Sequence, residues 1–583
     1  MPNLYFVIRW LCKAIVRSLF RDVNVINPEN VPLYGSVIFV GNHNNQFIDA
    51  CVLVANIPRQ VKFIVAEKSM KRAVIGKLAS IIGCISVKRP EDLKFKGIGN
   101  ILWETGDIKI RGVNTRFRLD VQIGDKLMTQ NKIFCVTKIE SETELFIQGA
   151  INIECDDKVN GVPFKIIPKV NQSDVYNLVT NSLKNGDTIG IFPEGGSHDR
   201  TNLLPLKPGV AIMTLCALAD GIEDVSIIPV GLSYSKLYQL QGCVTLFYGN
   251  AIMVSQDLCK DYNNNHRETI SKLLTRIEEG MRSCMLTSKD HETSRCIELC
   301  VSLYTPERMT ISKNKIYNNL QLFCKMFWKF GNTKVIKNLC YQLQCYEKLL
   351  QANKIKDDEV WMLKQSTSAA TLKFIEHICS VIFCVIFGMT FSLLWLPLVL
   401  ISIHLAEKHR EDALKNSTVK IQGCDVVSSY KVLVLIVLLP TFNLFYGLIF
   451  SLYLYKTWLK RIIFTFLSIC ILPICYYINL NYSVQIPTLL RQMKILLKVI
   501  CGKINVWRDN ERELISTRHE LQLKVRELVS TLGPNVSDDF LEQLYRNIPK
   551  FVVDADTKRL IRGKDDWVPI LQRSQLEYKE EIL

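Results

Sequence analysis

The feature that most constrains this chain is a set of long apolar runs late in its sequence. No charged residue occurs at 378–403 or at 432–455. A third uncharged run begins at Ile462 and stays mostly apolar to about Ile478. A helix rises about 1.5 Å per residue, so roughly 20 residues cross a hydrocarbon core of about 30 Å. The first two runs are long enough to span with some tilt. The third contains Pro473 and reads as either a span or a re-entrant segment. The expectation is an α-helical multi-span membrane region at 373–482, with candidate spans at 378–403, 432–455 and 462–480. Lys456, Lys460 and Arg461 form a basic connector of the kind that tends to stay cytoplasmic. Basic residues between His404 and Lys431 offset that bias, so charge alone leaves the topology open.

Charge narrows the partners. Lysine and arginine total 72 against 56 aspartate and glutamate, a formal net charge of +16 that calls for an anionic partner. Nucleic acid is excluded, because it would not account for the spans and no stacking motif or zinc finger is present. A transport role would place ionisable residues inside the spans, and the two clearest runs hold none. At the N-terminus, Arg9, Lys13, Arg17 and Arg21 recur every four residues among Leu4, Phe6, Val7, Trp10 and Leu11. That pattern predicts an amphipathic helix over 1–21, lying among anionic headgroups of a lipid bilayer or packed on the protein itself. The twenty cysteines are scattered and lack zinc-type spacing with histidines, so they read as reduced, small hydrophobes of a cytosol-facing protein.

Between these ends the texture changes. Residues 22–261 alternate β-rich and helical runs, as an α/β domain does, with strand candidates at 35–41, 61–66, 83–88, 188–192, 225–233 and 244–247. A β-rich insert without helical periodicity occupies about 106–167. Residues 262–372 read as amphipathic helices, and 483–583 as a charged helical C-terminal tail.

Four elements of the α/β block carry chemistry. Directly after an apolar strand comes Gly41-Asn-His43-Asn-Asn-Gln-Phe-Ile-Asp49. A histidine acting as general base needs an acceptor for its second ring nitrogen, and a nearby carboxylate supplies one. A second strand ends in Lys88-Arg89, where a guanidinium can present its planar fork to a phosphate or be merely solvated. The third element is Phe192-Pro193-Glu194-Gly195-Gly196-Ser197-His198-Asp199-Arg200, followed by Lys207. Paired glycines let backbone approach a ligand and turn N–H groups toward an anion. Adjacent Ser-His-Asp rarely converges on one proton path, and no G-x-S-x-G elbow exists here, so a hydrolase triad is set aside. The fourth is the apolar strand broken by Pro229, which either lines an acyl channel or simply packs.

In this order the four elements resemble the glycerolipid acyltransferase family. The segments from His43 to Asp49 and from Phe192 to Thr201 are most similar to the endoplasmic-reticulum glycerol-3-phosphate acyltransferases of fungi and protists. Several of those also accept dihydroxyacetone phosphate. The family at large places four residues between histidine and aspartate, and this chain places five, from Asn44 to Ile48. On one continuous helix the extra residue would rotate the carboxylate by about 100°. His43 is therefore expected just before the helix, joined to it by a loop.

The resemblance implies an α/β acyltransferase domain that moves an acyl group from acyl-CoA to the primary hydroxyl of glycerol 3-phosphate, with no metal and no cofactor beyond the co-substrate. It assigns His43 as general base and Asp49 as its orienting carboxylate, with backbone N–H groups near Gly195 receiving the oxyanion. Arg89 would hold the acceptor phosphate with Glu194 and Gly195, Arg200 and Lys207 would assist, and Pro229 would shape the acyl-CoA side. It also implies an endoplasmic-reticulum membrane location with the active site toward the cytosol. Acylation of lysophosphatidic acid is the rival within the class, and a catalytically vestigial membrane scaffold the rival outside it. Nothing in the sequence specifies an oligomeric state.

Overall fold

A computed structural model describes residues 2–562, apart from 131, 153, 158, 236–241, 306–311, 390–391, 416, 418, 502–504, 547–550 and 554–559. The last part of the expected C-terminal tail, 563–583, lies outside the described residues.

Segments that are apolar without interruption form the centre of the main sheet, as strands covered on both faces must. Val37–Gly41 is buried at every position. In order across the sheet lie Phe20–Ile26, Gly242–Tyr248, Asp224–Tyr234, Val37–Gly41, Thr188–Ile191, Val61–Ala66 and Ile85–Val87. Ile252–Ser255 pairs antiparallel with the first half of Asp224–Tyr234. The run from Asp224–Tyr234 to Ile85–Val87 is parallel throughout, so its strand ends deliver their loops to one edge. Those loops carry the His43, Arg89 and Glu194 motifs. Sequence patterning missed Phe20–Ile26, where polar Arg21, Asp22 and Asn24 interrupt the apolar alternation on an edge strand.

Helices cover both faces of the sheet. Gln46–Asn56 and the N-terminal helix Pro2–Leu19 pack on one face. Ser173–Lys184, Gly209–Ala219 and His266–Cys284 pack on the other. The N-terminal helix packs on the protein, one of the two alternatives its sequence left open, and keeps an apolar and basic face exposed. Tyr5, Ile8, Cys12, Val16 and Leu19 are buried, while Phe6, Val7 and Trp10 stay exposed beside Lys13 and Arg17.

The insert is a closed six-stranded β-barrel that begins at Phe95, earlier than the expected 106, because Phe95–Leu102 pairs with both Val162–Ile167 and Lys109–Val113. Its interior holds Ile101, Ile110, Phe117, Leu127, Leu145 and Ile166.

Among the described residues, three helical stretches are long and apolar enough to cross a membrane: Thr367–Met389, Cys424–Leu454 and Trp458–Ile500. The expected span 378–403 falls within Thr367–Met389 and Ser392–Lys415, on either side of 390–391, which lie outside the described residues. Both pieces follow one track antiparallel to the third stretch: His377 meets Gln492, Ser392 meets Asn479, and Trp395 stacks on Tyr476. The third stretch is helical over Trp458–Ser483 with Pro473 inside it, and so has the length of a span.

The charged C-terminal helix is no free tail. Asn505–Leu532 buries Leu514, Leu521, Val525 and Val529 against His291–Tyr304 and Lys334–Asn353, in one helical module. Arg518 pairs inside that module with Asp357, whose carboxylate also accepts from Tyr346. Sequence texture separated these parts because the long apolar stretches intervene between them.

Candidate active site

His43 leaves the Val37–Gly41 strand three residues before the Gln46–Asn56 helix, whose first turn carries Asp49. The fifth intervening residue is absorbed ahead of that helix. Asn45 sits at its N-cap with φ −145°, and Gln46 adopts φ 40°, a left-handed conformation a non-glycine residue holds only under constraint. The result brings His43 Nδ1 to 2.8 Å from Asp49 Oδ2.

Asp49 is fully buried and amply solvated by donors. Its Oδ2 accepts from His43 Nδ1–H and from the Asn45 N–H at 2.8 Å, and its Oδ1 accepts from the Tyr234 hydroxyl. A carboxylate so held fixes the imidazole with its proton on Nδ1 and leaves Nε2 able to take one. Burial, together with the Asp49 charge, pushes the Tyr234 phenol well above its ordinary pKa, which keeps it a donor. The His43 ring stacks on Phe192, with centroids 4.3 Å apart and planes 7° from parallel.

Glu194 is the second organiser, and its place differs from the one expected. It does not line a phosphate wall. Oε1 accepts from the His43 backbone N–H at 2.9 Å, and Oε2 accepts from the Leu204 N–H at 2.9 Å and from His198 Nε2–H. The Arg200 N–H donates to His198 Nδ1, which assigns the His198 proton to Nε2. Glu194 is thus a buried brace between the histidine loop and the glycine turn, because a carboxylate can collect several donors at once.

Gly195 has φ +75°. Its N–H closes a turn onto the Phe192 carbonyl, so it is not free for an oxyanion, and its carbonyl accepts from Arg89 at 2.7 Å. A Cβ there would come within 2.6 Å of Lys207 Cε, so the turn admits only glycine without displacing the lysine. Arg89 also holds Asp92 at 2.7 Å, and Lys207 lies 3.5 Å from Glu91. Burial works to raise the Glu91 pKa, but a backbone hydrogen bond and the nearby Lys207 and Arg89 outweigh it and hold the carboxyl below its ordinary value.

A cavity of about 720 Å³ opens at this point. Its lining is of two kinds. His43 and Phe192 share it with the cations Lys68, Arg72, Lys88, Arg89 and Lys207. The remainder is chiefly apolar: Ile8, Leu11 and Ile15 of the N-terminal helix, Phe47, Ala50 and Val54 of the Asp49 helix, and Leu78 and Ile82 of the helix Ala73–Ile82. The structure therefore brings together His43, Asp49, Arg89, Gly195 and Lys207. It does not bring Arg200 or Pro229. Arg200 turns away and donates to the Val419 carbonyl at 2.7 Å. Pro229, in mid-strand, is buried against Gly249 and the helix His266–Cys284, with Gly280 beneath its ring; the packing role left open in the sequence is the one it fills.

Sequence reasoning missed Tyr234, a strand-end residue 185 positions from Asp49 that carries no local signal. It also missed what the Ser197–Asp199 run does. Ser197 donates to Asp425 at 2.6 Å, His198 binds Glu194, and Asp199 accepts the backbone N–H groups of Ile421 and Gln422 at 2.7 and 2.6 Å. The three side chains take separate partners and so form no nucleophilic triad with one another.

The family model described as "Acyltransferase" matches residues 22–104 and 128–233, and the one described as "Glycerol-3-phosphate acyltransferase 2 C-terminal domain" matches residues 296–537. An uncharacterized acyltransferase of Schizosaccharomyces pombe is 27% identical over 92% of this chain and 82% of its own length. Glycerol-3-phosphate O-acyltransferase 1 of Saccharomyces cerevisiae is 28% identical over 99% of this chain and 78% of its own. Glycerol-3-phosphate O-acyltransferase 2 of the same yeast is 26% identical over 92% and 78%.

Proposed function

We propose that the chain is a membrane acyltransferase of the glycerolipid family that transfers a fatty acyl group from acyl-CoA to the primary hydroxyl of glycerol 3-phosphate, giving lysophosphatidic acid. The observation that carries this reading is a single cavity in which a carboxylate-oriented histidine stands among both cations and an apolar lining. A fatty acyl chain suits the apolar walls, and the phosphates of acceptor and coenzyme A suit the cations.

In this mechanism His43 Nε2 takes the proton of the attacking hydroxyl as its oxygen bonds the thioester carbonyl. Asp49 stabilises the imidazolium that forms. The tetrahedral intermediate collapses by breaking the carbon–sulfur bond, and the His43 proton returns to the departing thiolate. Arg89 and Lys207 bind the acceptor phosphate, which must compete with Asp92 and Glu91 for them. A location in the endoplasmic-reticulum membrane, with the cavity toward the cytosol that supplies both substrates, completes the reading.

The test is an assay of the detergent-purified full chain with palmitoyl-CoA and, separately, glycerol 3-phosphate, dihydroxyacetone phosphate and lysophosphatidic acid. Glycerol 3-phosphate is the expected acceptor. His43→Ala is expected to lose about 10²–10⁴-fold in rate, the usual worth of a general base. Arg89→Ala is expected chiefly to raise the acceptor KM. Near-normal turnover by His43→Ala, or preference for lysophosphatidic acid, overturns the reading.

A further inference from the structure

The helix Gln46–Asn56 carries Asp49 yet lacks a cap of its own, since the Asn45 side chain makes no capping hydrogen bond. N–H groups at a helix N-terminus are commonly met by a nearby hydroxyl. The Ile48 N–H donates to the Asn45 carbonyl at 3.0 Å, and a hydroxyl joins that pair. Here the hydroxyl comes from 381 residues away. Ser429, fully buried in the first turns of the membrane helix Cys424–Leu454, accepts from the Ile48 N–H at 3.4 Å and donates to the Asn45 carbonyl at 2.7 Å.

A second tie lies beside it. Asp199 binds the N–H groups of Ile421 and Gln422, and Cys424 adds a third at 3.3 Å. Lys420 donates to the Ser197 carbonyl at 2.9 Å and pairs with Asp425, which is completely buried. Ser197 bonds the same Asp425 oxygen, and Arg200 bonds Val419. The head of one membrane helix thus grips both halves of the centre: the helix that presents Asp49, and the glycine turn that receives Arg89 and abuts Lys207.

We infer that the segment 419–429 is a positioning element of the acyl-transfer site, with Ser429 and Asp199 as positioning residues acting through Asp49 and through the Gly195 turn. The inference deepens the acyl-transfer reading and rests on it. It makes turnover depend on the docking of a membrane helix, beyond that helix's service as an anchor. Displacing a catalytic group by about 1 Å costs up to about 10²-fold in rate, so a loosened cap is read in kcat.

The experiment uses the full chain in detergent with palmitoyl-CoA and whichever acceptor the wild type uses best among the three named above. Ser429→Ala is expected to lower kcat about 10-fold. Both KM values should stay within about 2-fold, and the thermal midpoint should fall only modestly, because the Ile48 N–H and Asn45 carbonyl keep their mutual bond when the hydroxyl is removed. Ser429→Thr, which keeps the hydroxyl, restores the rate. Asp199→Asn sets an amide N–H against a backbone N–H and lowers kcat at least as far. Thr441→Ala, on the exposed side of the same helix, leaves kcat unchanged. Should Asp199→Asn fail to fold, Ser429→Ala and its threonine rescue decide alone. Wild-type kcat in Ser429→Ala overturns the inference, as does a loss that threonine does not rescue or that falls entirely on KM. A wild type that uses no glycerol 3-phosphate strikes the acceptor assignment instead, and leaves these ratios to be read with its true acceptor.

Discussion

Replacing Asp49 by asparagine isolates what its charge contributes. Oδ2 faces two donors, His43 Nδ1–H and the Asn45 N–H, while Oδ1 faces a hydroxyl that can also accept. An asparagine therefore settles with its carbonyl toward His43 and its amide N–H₂ toward Tyr234, and the imidazole keeps the same tautomer. Only the negative charge is lost. At an effective dielectric of about 20, unit charges roughly 4 Å apart interact by about 4 kcal/mol. The neutral hydrogen bond that remains returns about 1 kcal/mol. The net loss of about 3 kcal/mol in stabilising the imidazolium corresponds to a kcat lower by about 10²-fold.

Tyr234 makes this reasoning refutable. With Asp49 intact, Tyr234→Phe removes a bond present in ground state and transition state alike, so it changes kcat by less than about 5-fold. In the asparagine background the same change strands a buried amide N–H₂, a cost of about 1–3 kcal/mol. Flipping the amide relieves that cost but turns N–H₂ toward His43 and enforces the wrong tautomer, so a further loss of about 10²-fold is expected. The assay is a double-mutant cycle on kcat with purified enzyme. Additive effects, or an Asp49→Asn enzyme slowed by about 10⁴-fold with an unchanged thermal midpoint, would refute the arrangement.

Two other expectations follow from the same geometry. Gly195→Ala must displace Lys207 and strain a left-handed turn, so the acceptor KM rises about 10-fold, the equivalent of about 1.4 kcal/mol, while kcat holds; steady-state kinetics showing a loss in kcat alone would remove Lys207 from acceptor binding. For Asp199, burial opposes ionisation, but the N–H groups of Ile421, Gln422 and Cys424 prevail and depress its pKa below the ordinary 3.8. Its stabilising contribution is thus fully present above pH 3.8 and is lost as pH falls through the lower folded value. The thermal midpoints of wild type and Asp199→Asn should differ at pH 7 and converge only below pH 4.

The fold was legible where physics is local. Uninterrupted apolar runs announced the central strands and the helices long and apolar enough to span a membrane, because a parallel strand buried on both faces and a lipid-facing helix both exclude charge. Phe20–Ile26 escaped because an edge strand tolerates an exposed Arg21 and a half-buried Asn24, whose amide reaches Thr245 of the neighbouring strand. The union of 291–353 with 505–532 escaped because the burial of Leu521 and Val525 depends on partners that the membrane stretches separate in sequence.

At the site the strongest motifs did not sort themselves by role. His43 with Asp49 and Arg89 with Gly195 sit together in the structure, as strand-end residues on one edge of a parallel sheet are bound to do. Glu194, Ser197, His198 and Asp199 carry equally reactive side chains, yet each spends its polar atoms on assembly. The difference lies in what each meets. Glu194 and Asp199 are buried among backbone N–H groups, and a buried carboxylate that has collected such donors gains nothing further from a phosphate and would repel it. Lys207 stays half exposed at the cavity, with Glu91 as a weakly held counter-charge that an incoming dianion can displace. Composition cannot separate these cases, since the +16 excess counts Arg200 on the Val419 carbonyl the same as Arg89 at the cavity. Only the partner of each charge decides whether it binds substrate or holds the site together.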